Sequence, residues 1–376
     1  MIDIKNVPVK KTISPKHDPW EAYLDLVEHG DLTLSNIEFT TTTLCNMRCA
    51  HCAVGYTLQT KDPQALPLDL LLHRLDEIPH LRAISITGGE PMLSLKSLKN
   101  YVLPLLEYAH QRGVYTQLNS NLTLDFSRYE PIIPYLDVLH ISHNWGTVDE
   151  FVDTGFAMME KKPTREQRAK LFTTMIENSR RLAEAGVFVS AETMLNKKTV
   201  PYLEKIHKQV VEEMKCARHE IHPMYSVDYA SSLEALSLDE MKAAIRHLLD
   251  VRDPSVWMLF GTLPFYPCHA DEADLQLYKR LLEDPMITVR NDPDGRSRLN
   301  VNIFSGEVIV TDFGDVPSFG HIQTDSLPDL YQKWRNESVS KQLLCHCPSV
   351  SCLGPNVLVK NMYYQDVDFT SKQSQI

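Results

Sequence analysis

Apolar and polar residues alternate among β-branched threonines in SNIEFTTTTLC (35–45), with Ile37 and Phe39 on one face; a period of two marks a strand with one buried side. Four similar short runs follow at AISIT (83–87), VYTQLNSN (114–121), LDVLHISHN (136–144) and VFVSAETML (187–195). Between them the apolar spacing becomes helical in LPLDLLLHRLDEI, in LKSLKNYVLPLLEYAHQRG and from about Arg165 to Ala185, and Gly113 and Gly186 stand where the last two helices have to stop. A helical piece around Glu21 to Glu28 precedes the first strand, and a helix from about Val200 to Arg218 leads to EIHPMY (220–225), which fits a sixth strand. Strand and helix in regular alternation predict β-α units around a parallel sheet. Six units predict an α/β barrel, whose chemistry gathers in the loops after the C-terminal ends of its strands.

Beyond about residue 235 the pattern changes to a helix from Ser237 to Val251, the segment LPFYPC, further helices, a hairpin-like LNVNIFSGEVIVT and a cysteine-rich tail. The chain therefore divides into an N-terminal extension (1–35), a core barrel (36–235), a small C-terminal module (236–370) and a tail (371–376), with flexible ends over 1–16 and about 370–376. A length of 376 residues and a 43% hydrophobic content suit one large domain and a smaller one. The opening MIDIKNVPVKK has no apolar run after its basic residues, and no stretch of about 18 apolar residues occurs, so a soluble cytoplasmic protein is expected. A net charge of -11 argues against non-specific nucleic-acid binding, because phosphates have to be met by a basic surface.

Eight cysteines are too sparse for a disulfide scaffold in a chain this long, so their clustering carries the information. TLCNMRCAHC places Cys45, Cys49 and Cys52 in a C-x3-C-x2-C spacing, in the loop after the first strand, where one turn can aim all three at one point. Thiolates suit iron-sulfur clusters and zinc. A structural zinc site needs a fourth ligand, and His51 is awkwardly adjacent to Cys52, whereas a cubane held by three cysteines leaves one iron open to substrate. The second set is LLCHCPSVSCLGP, with Cys345, Cys347 and Cys352 in C-x-C-x4-C, plus Cys268 in PFYPC. Four thiolates complete either a second [4Fe-4S] cluster or an all-thiolate zinc site. Cys216 reads as a small core residue, and His143, His222 and His346 as hydrogen-bonded structural residues or spacers. The segment from Trp145 to Thr164 has the length and position to line a substrate entrance, with Asp149, Glu150 and Asp153 equally well explained as solvated surface.

The first spacing, in the loop after a first strand, resembles the signature of the radical S-adenosylmethionine (SAM) superfamily. Thr87-Gly88-Gly89-Glu90-Pro91 is similar to that superfamily's G-G-E-P element at the end of the second strand. The resemblance implies that Cys45, Cys49 and Cys52 hold a catalytic [4Fe-4S] cluster and that Glu90 and the Gly88-Gly89 backbone hold the methionine amino group of SAM. LNSNLTL resembles a T-T-N-G-T-L pattern, with Ser120 and Asn121 at the matched T and N and Leu122 where glycine is usual. HISHNWG resembles S-x-D-G, with Ser142 retained and Asn144 in place of Asp, which makes Ser142 a candidate for the SAM carboxylate or ribose. The C-terminal hairpin, helix and cysteines are similar to SPASM and twitch extensions, with Thr311 where a cysteine is often found. They imply a second, auxiliary cluster on Cys268, Cys345, Cys347 and Cys352. Together the two spacings most closely resemble the radical SAM/CxCxxxxC motif family of YfkAB proteins, over nearly the whole chain.

This likeness implies an enzyme that takes an electron from a donor such as flavodoxin or ferredoxin and cleaves SAM to methionine and a 5'-deoxyadenosyl radical. The radical then abstracts hydrogen from a peptide or protein. A synthase acting on a small metabolite is the alternative within the same chemistry, and a zinc-stabilised binding protein the alternative outside it.

Overall fold

A computed structural model of the protein describes residues 11–269, 271–311 and 317–369. Its strands are β1 (Asn36–Thr40), β2 (Ala83–Thr87), β3 (Tyr115–Ser120), β4 (Val138–Ser142), β5 (Phe188–Leu195), β6 (Arg218–Pro223), β7 (Trp257–Gly261), β8 (Ile287–Arg290), β9 (Arg298–Asn302), β10 (Glu307–Ile309) and β11 (Gly320–His321). They form one sheet in the order β11-β10-β9-β1-β2-β3-β4-β5-β6-β7-β8. From β9 through β1 to β8 every pairing is parallel, and β10 and β11 add an antiparallel edge. The sheet is thus a partial barrel whose parallel run ends at β8 on one side and β9 on the other, joined by the connector 291–297.

The six expected strands are all present, and the parallel run continues past them. WMLFG becomes β7, buried at every position; a strand covered on both faces is a continuous apolar run that periodicity cannot separate from a helix. The hairpin in LNVNIFSGEVIVT forms as β9 and β10, but β9 also lies parallel to β1, with Asn36 opposite Arg298 and Thr40 opposite Asn302. The outward side chains of β1 and β9, Ile37, Phe39, Leu299 and Val301, accordingly share one core with Leu71 and Leu75 from one crossover helix and Leu330 and Trp334 near the C-terminus. The inward faces are polar: Glu38, Gln117, Asn119, His140, Glu192, Glu220, Arg290 and Arg298 meet inside the barrel through contacts such as Asn119 to Glu38 and Arg290 to Glu220.

The helices end as the punctuation requires. Gly113 and Gly186 take φ of 74° and 80°, a left-handed conformation that stops a helix at low cost in glycine. Thr164 and Ser237 close capping boxes at the starts of the helices Arg165–Glu184 and Leu238–Val251. No helix among the described residues is long and apolar enough to cross a membrane.

The N-terminal extension corrects one expectation. Residues 1–10 and 370–376, which include the expected tail, lie outside the described residues, but 11–16 are not a loose end. Lys11 Nζ donates to the Val114 carbonyl at 2.7 Å and pairs with Asp137 at 2.9 Å, and Ser14 and His17 exchange backbone hydrogen bonds. Trp20 then fills the barrel interior against Ala83 and Val138, its indole N–H on Ser85 Oγ at 3.0 Å. Isolated residues anchor this segment, so it carries no periodicity to read.

Candidate active site

The loop after β1 and the loop after β2 are stitched together through their backbones. Gly89 N donates to Thr42 O at 2.9 Å and Glu90 N to Leu44 O at 2.7 Å. A Cβ at Gly88 would sit 2.3 Å from Thr42 O, and one at Gly89 2.2 Å from Leu44 O, while Gly88 takes a φ of 139°. Both glycines are therefore required by the approach of the cysteine loop itself. Because these N–H groups point into that loop, the backbone can offer a ligand ammonium only carbonyl oxygens, which are the acceptors an ammonium needs.

Glu90 is fully buried and organises the loop after β3. Its carboxylate accepts from Ser120 Oγ at 3.0 and 3.1 Å, from Asn121 N at 2.8 Å and from Met92 N at 3.1 Å. Burial pushes its carboxyl up to about 7 against the pull of those donors. Asn121 reaches across to the cysteine loop: its Nδ2 donates to Asn46 Oδ1 at 2.9 Å and lies 3.9 Å from Cys45 Sγ. Asn46 in turn donates to Thr123 Oγ1 at 2.8 Å. Cys45, Gly88, Gly89, Glu90, Ser120 and Asn121 thus belong to one bonded cluster. Ser142 stands apart from it, half-buried at the end of β4 and in register with Glu192.

Leu122 replaces the glycine of the related pattern, yet its backbone keeps the conformation glycine would take, with φ at 53° and the side chain fully buried. Asn178, from the helix Arg165–Glu184, holds it there by donating Nδ2 to the carbonyls of Leu122 and Leu124 at 2.8 and 2.7 Å. No spacing in the sequence singles this residue out, because a lone Asn on a helix reads as solvated surface; it is 3% exposed. Asn178→Ala leaves two buried carbonyls without a donor and is expected to cost about 2–4 kcal/mol. The check is denaturant unfolding beside Asn178→Asp, which keeps the shape and loses the donor; a change below about 0.5 kcal/mol in the alanine variant would count against this role.

The three thiols of the cysteine loop are half-buried. Burial raises Cys45 to about 12 and Cys49 well above the ordinary thiol value, and it raises Cys52 as well; Arg48 opposes the rise at each. Arg48 is pinned by donating to the Cys45 and Met47 carbonyls, both at 2.8 Å. A fixed guanidinium among three thiols favours the thiolate form that a soft metal binds. His51 is not placed as a further ligand: it is buried, held down to about 4 by desolvation, and its Nε2 lies 3.3 Å from Asn144 Nδ2. Asn144 also accepts from Met194 N at 2.6 Å, tying β4 and β5 to this loop.

The segment after β4 packs on the same loop, with Arg48 N and Ala50 N donating to the carbonyls of Gly155 and Thr154. Asp149 and Asp153 are exposed and pair with Arg165, as a solvated surface would. Glu150 differs: its carboxylate accepts from Gly146 N at 2.9 Å and closes the start of the helix Val148–Thr154.

Across the molecule, Cys345, Cys347 and Cys352 are buried in one cluster with Tyr266, Tyr364 and Phe369, and half-buried Cys268 packs against it. Cys347 and Cys352 face each other in a two-residue antiparallel bridge closed by Ser351 in a left-handed turn, and Gly354 N donates to Cys352 Sγ at 3.3 Å. Burial raises Cys345 to about 12 and Cys352 to about 11, and the charges of Cys347 and Cys268 push both further up. His346, between two of them, is exposed. Cys216 is buried beside Ser179 Oγ, a core residue as expected. Among the described residues no three His, Cys, Asp or Glu side chains already converge on the position of one ion, so donor chemistry and placement, not a preformed cage, connect these thiols to metal.

A parallel partial barrel with three thiols in its first loop, docked on a Gly-Gly-Glu loop, defines a class. Residues 39–211 match the radical SAM superfamily, and residues 224–374 match the YfkB-like domain. The protein is a radical SAM enzyme. Over 365 residues it is 69% identical to the protein YfkA of Bacillus subtilis (strain 168), covering 97% of this chain and 98% of that one, and it belongs to the same family within the superfamily. Solved structures share the fold at low identity. Streptococcus suis SuiB bound to precursor peptide SuiA superposes with a TM-score of 0.58 at 15% identity, over 89% of this chain and 74% of that one. Native anSMEcpe with bound AdoMet gives 0.59 at 14% identity, over 90% and 94%. Membership of the superfamily implies SAM and a [4Fe-4S] cluster as cofactors.

Proposed function

We propose that Cys45, Cys49 and Cys52 ligate the catalytic [4Fe-4S] cluster and that the enzyme cleaves SAM reductively to modify a peptide or protein by hydrogen abstraction. The observation that carries this reading is the stitching of the cysteine loop onto Gly88, Gly89 and Glu90, which sets a three-thiol donor set beside acceptors for an ammonium. With its cofactors bound, the site supplies methionine and a 5'-deoxyadenosyl radical from SAM. The chain's own part is to hold and enclose. Glu90 orients Ser120 and Asn121, Ser142 and the end of β4 face the remainder of SAM, and Arg48 keeps positive charge beside the thiolates. The polar barrel interior and the segment from Trp145 to Thr164 receive the substrate.

We assign Cys268, Cys345, Cys347 and Cys352 to an auxiliary cluster with no open position, since four thiolates complete its ligation. By these two sites the chain divides into an extension (1–35), a unit that carries the catalytic loop (36–235) and an auxiliary-cluster unit (236–370), whose β7, β8 and β9 extend the same parallel sheet. A peptide substrate is supported by the shared fold of SuiB, which is solved with a precursor peptide. An acidic one-electron carrier of the flavodoxin or ferredoxin kind suits the cluster's need for a single electron, and thiol-rich metal centres suit the reducing cytoplasm.

The test is anaerobic reconstitution followed by SAM and a strong reductant. The expected results are about eight irons per chain, a brown protein and formation of 5'-deoxyadenosine. A colourless protein that binds zinc and forms none overturns the reading. Mass spectrometry after incubation with candidate peptides separates peptide modification from small-metabolite chemistry.

A further inference from the structure

One fully enclosed charge next to the C-terminal thiols has no part in the function proposed above. Arg296 lies in the connector between β8 and β9, where the Pro293 carbonyl accepts from the backbone N–H groups of Arg296, Ser297 and Arg298 and turns the chain sharply. Its side chain is directed away from the barrel interior that Arg298 enters, and only 5% of the residue is exposed. The guanidinium ends among carbonyls. Nη1 donates to Leu343 O at 3.2 Å, and Nη2 donates to Gly354 O at 3.3 Å and Pro355 O at 2.6 Å. Leu343 stands two residues before Cys345 and Gly354 two residues after Cys352, so one side chain clamps both ends of the cysteine segment.

Carbonyl oxygens satisfy the donors of a guanidinium but leave its charge uncancelled, and a buried charge is retained only when something opposes it. Among the described ion pairs none involves Arg296. The groups whose charge acts on it are Asp292, Tyr266, Cys352 and Cys345. Of these, Asp292 supplies a negative charge while also accepting from Asn356 Nδ2 at 2.5 Å, and Tyr266 is a buried phenol pushed well above its ordinary value, hence neutral. The sulfurs of Cys345 and Cys352 are the further counter-charge within its field. As thiols they are neutral; as metal-bound thiolates they are not.

We propose that Arg296 is the positioning and charge-compensating residue of the four-thiolate centre formed by Cys268, Cys345, Cys347 and Cys352: it fixes the cysteine segment and raises the reduction potential of the cluster held there. The inference rests on the auxiliary cluster assigned above. Its sign follows from charge alone, because one-electron reduction makes the centre more negative, and a fixed cation stabilises that state more than the oxidised one.

The test uses the full-length chain with Cys45, Cys49 and Cys52 all replaced by Ala, so that any iron reports the C-terminal thiols. Arg296→Met and Arg296→Lys are made in that background. Iron and sulfide content and the midpoint potential are measured by an EPR-monitored titration with dithionite. The parent is expected to hold about four irons. Arg296→Met is expected to disfavour reduction at least tenfold, a drop of about 59 mV for one electron. Arg296→Lys keeps the charge and is expected to stay near the parental potential while losing iron faster to a chelator, since an ammonium cannot span three carbonyls. An unchanged potential in Arg296→Met with iron retained overturns the proposal. If Arg296→Met holds no iron, Arg296→Lys decides: iron at the parental potential supports the role of charge, and loss of iron in both leaves only a requirement for shape and overturns it. A parent without iron refutes the auxiliary cluster itself, a different failure.

Discussion

Alanine in place of Cys45, Cys49 or Cys52 is expected to bring 5'-deoxyadenosine formation to background and iron from about eight to about four per chain. Losing an outer-shell partner of a metal ligand already costs 10- to 100-fold, so losing the ligand is expected to exceed about 100-fold. The three positions are not interchangeable spares, because all three thiols share one loop and each lies within the field of the same guanidinium, Arg48. Cys216→Ala is the control. That thiol is buried against Ser179, whose hydroxyl donates to the Met214 carbonyl, rather than half-buried in the cysteine loop, so both iron and activity should stay unchanged. Full turnover in Cys49→Ala, measured by chromatography of the SAM products, would sink the ligand assignment; equal loss in Cys216→Ala would mean that thiol deletion merely unfolds the chain.

The sequence made the first of these thiol sets legible because three ligands lie within one loop and its partner loop carries a contiguous Gly-Gly-Glu. The strands before residue 225 were equally legible, since one of their faces meets helices and the other a polar interior, which imposes a period of two. What escaped depends on contacts between distant residues. β9 lies beside β1 although more than 250 positions separate Thr40 from Asn302, and no local pattern records such a pairing. Asn178 and Arg296 are single polar residues whose importance comes from the carbonyls they meet. Leu122 shows the reverse case: it departs from the related glycine pattern, yet the conformation glycine would take is kept and held from outside. The auxiliary thiols fall between, with three in one motif and Cys268 joined to them only by the fold.

The interior of the barrel yields the largest expected stability effect, at Glu220. This carboxylate is fully buried and pairs with Arg218, with Arg290 at 2.7 Å and with His140 and His222 at 3.4 Å each, and it accepts from Ser190 Oγ at 2.8 Å. Asp18 of the N-terminal extension reaches the same two arginines at 3.6 and 3.3 Å, so the network also anchors the segment that fills the barrel. Glu220→Gln keeps the shape and removes one charge, leaving two buried arginines opposed by Asp18 and, at Arg290, by Glu21; breaking a buried pair from one side costs about 3–5 kcal/mol. Burial alone would raise the Glu220 carboxyl, but Arg218 and Arg290, with His140, outweigh it and hold the group well below 4.5. A folded-state value below the unfolded one means that the stabilisation is complete above pH 4.5 and disappears as the pH falls through the folded value. The wild type should therefore lose its advantage over Glu220→Gln only in acid. Denaturant unfolding at pH 7 and again near pH 3 measures both, and an equal difference between the two proteins at the two pH values would refute the ionised role. Pairing the change with Arg290→Met should recover part of the loss, because removing both partners leaves less uncompensated charge than removing one; a purely additive double variant would mean that Glu220 acts through packing rather than through its charge.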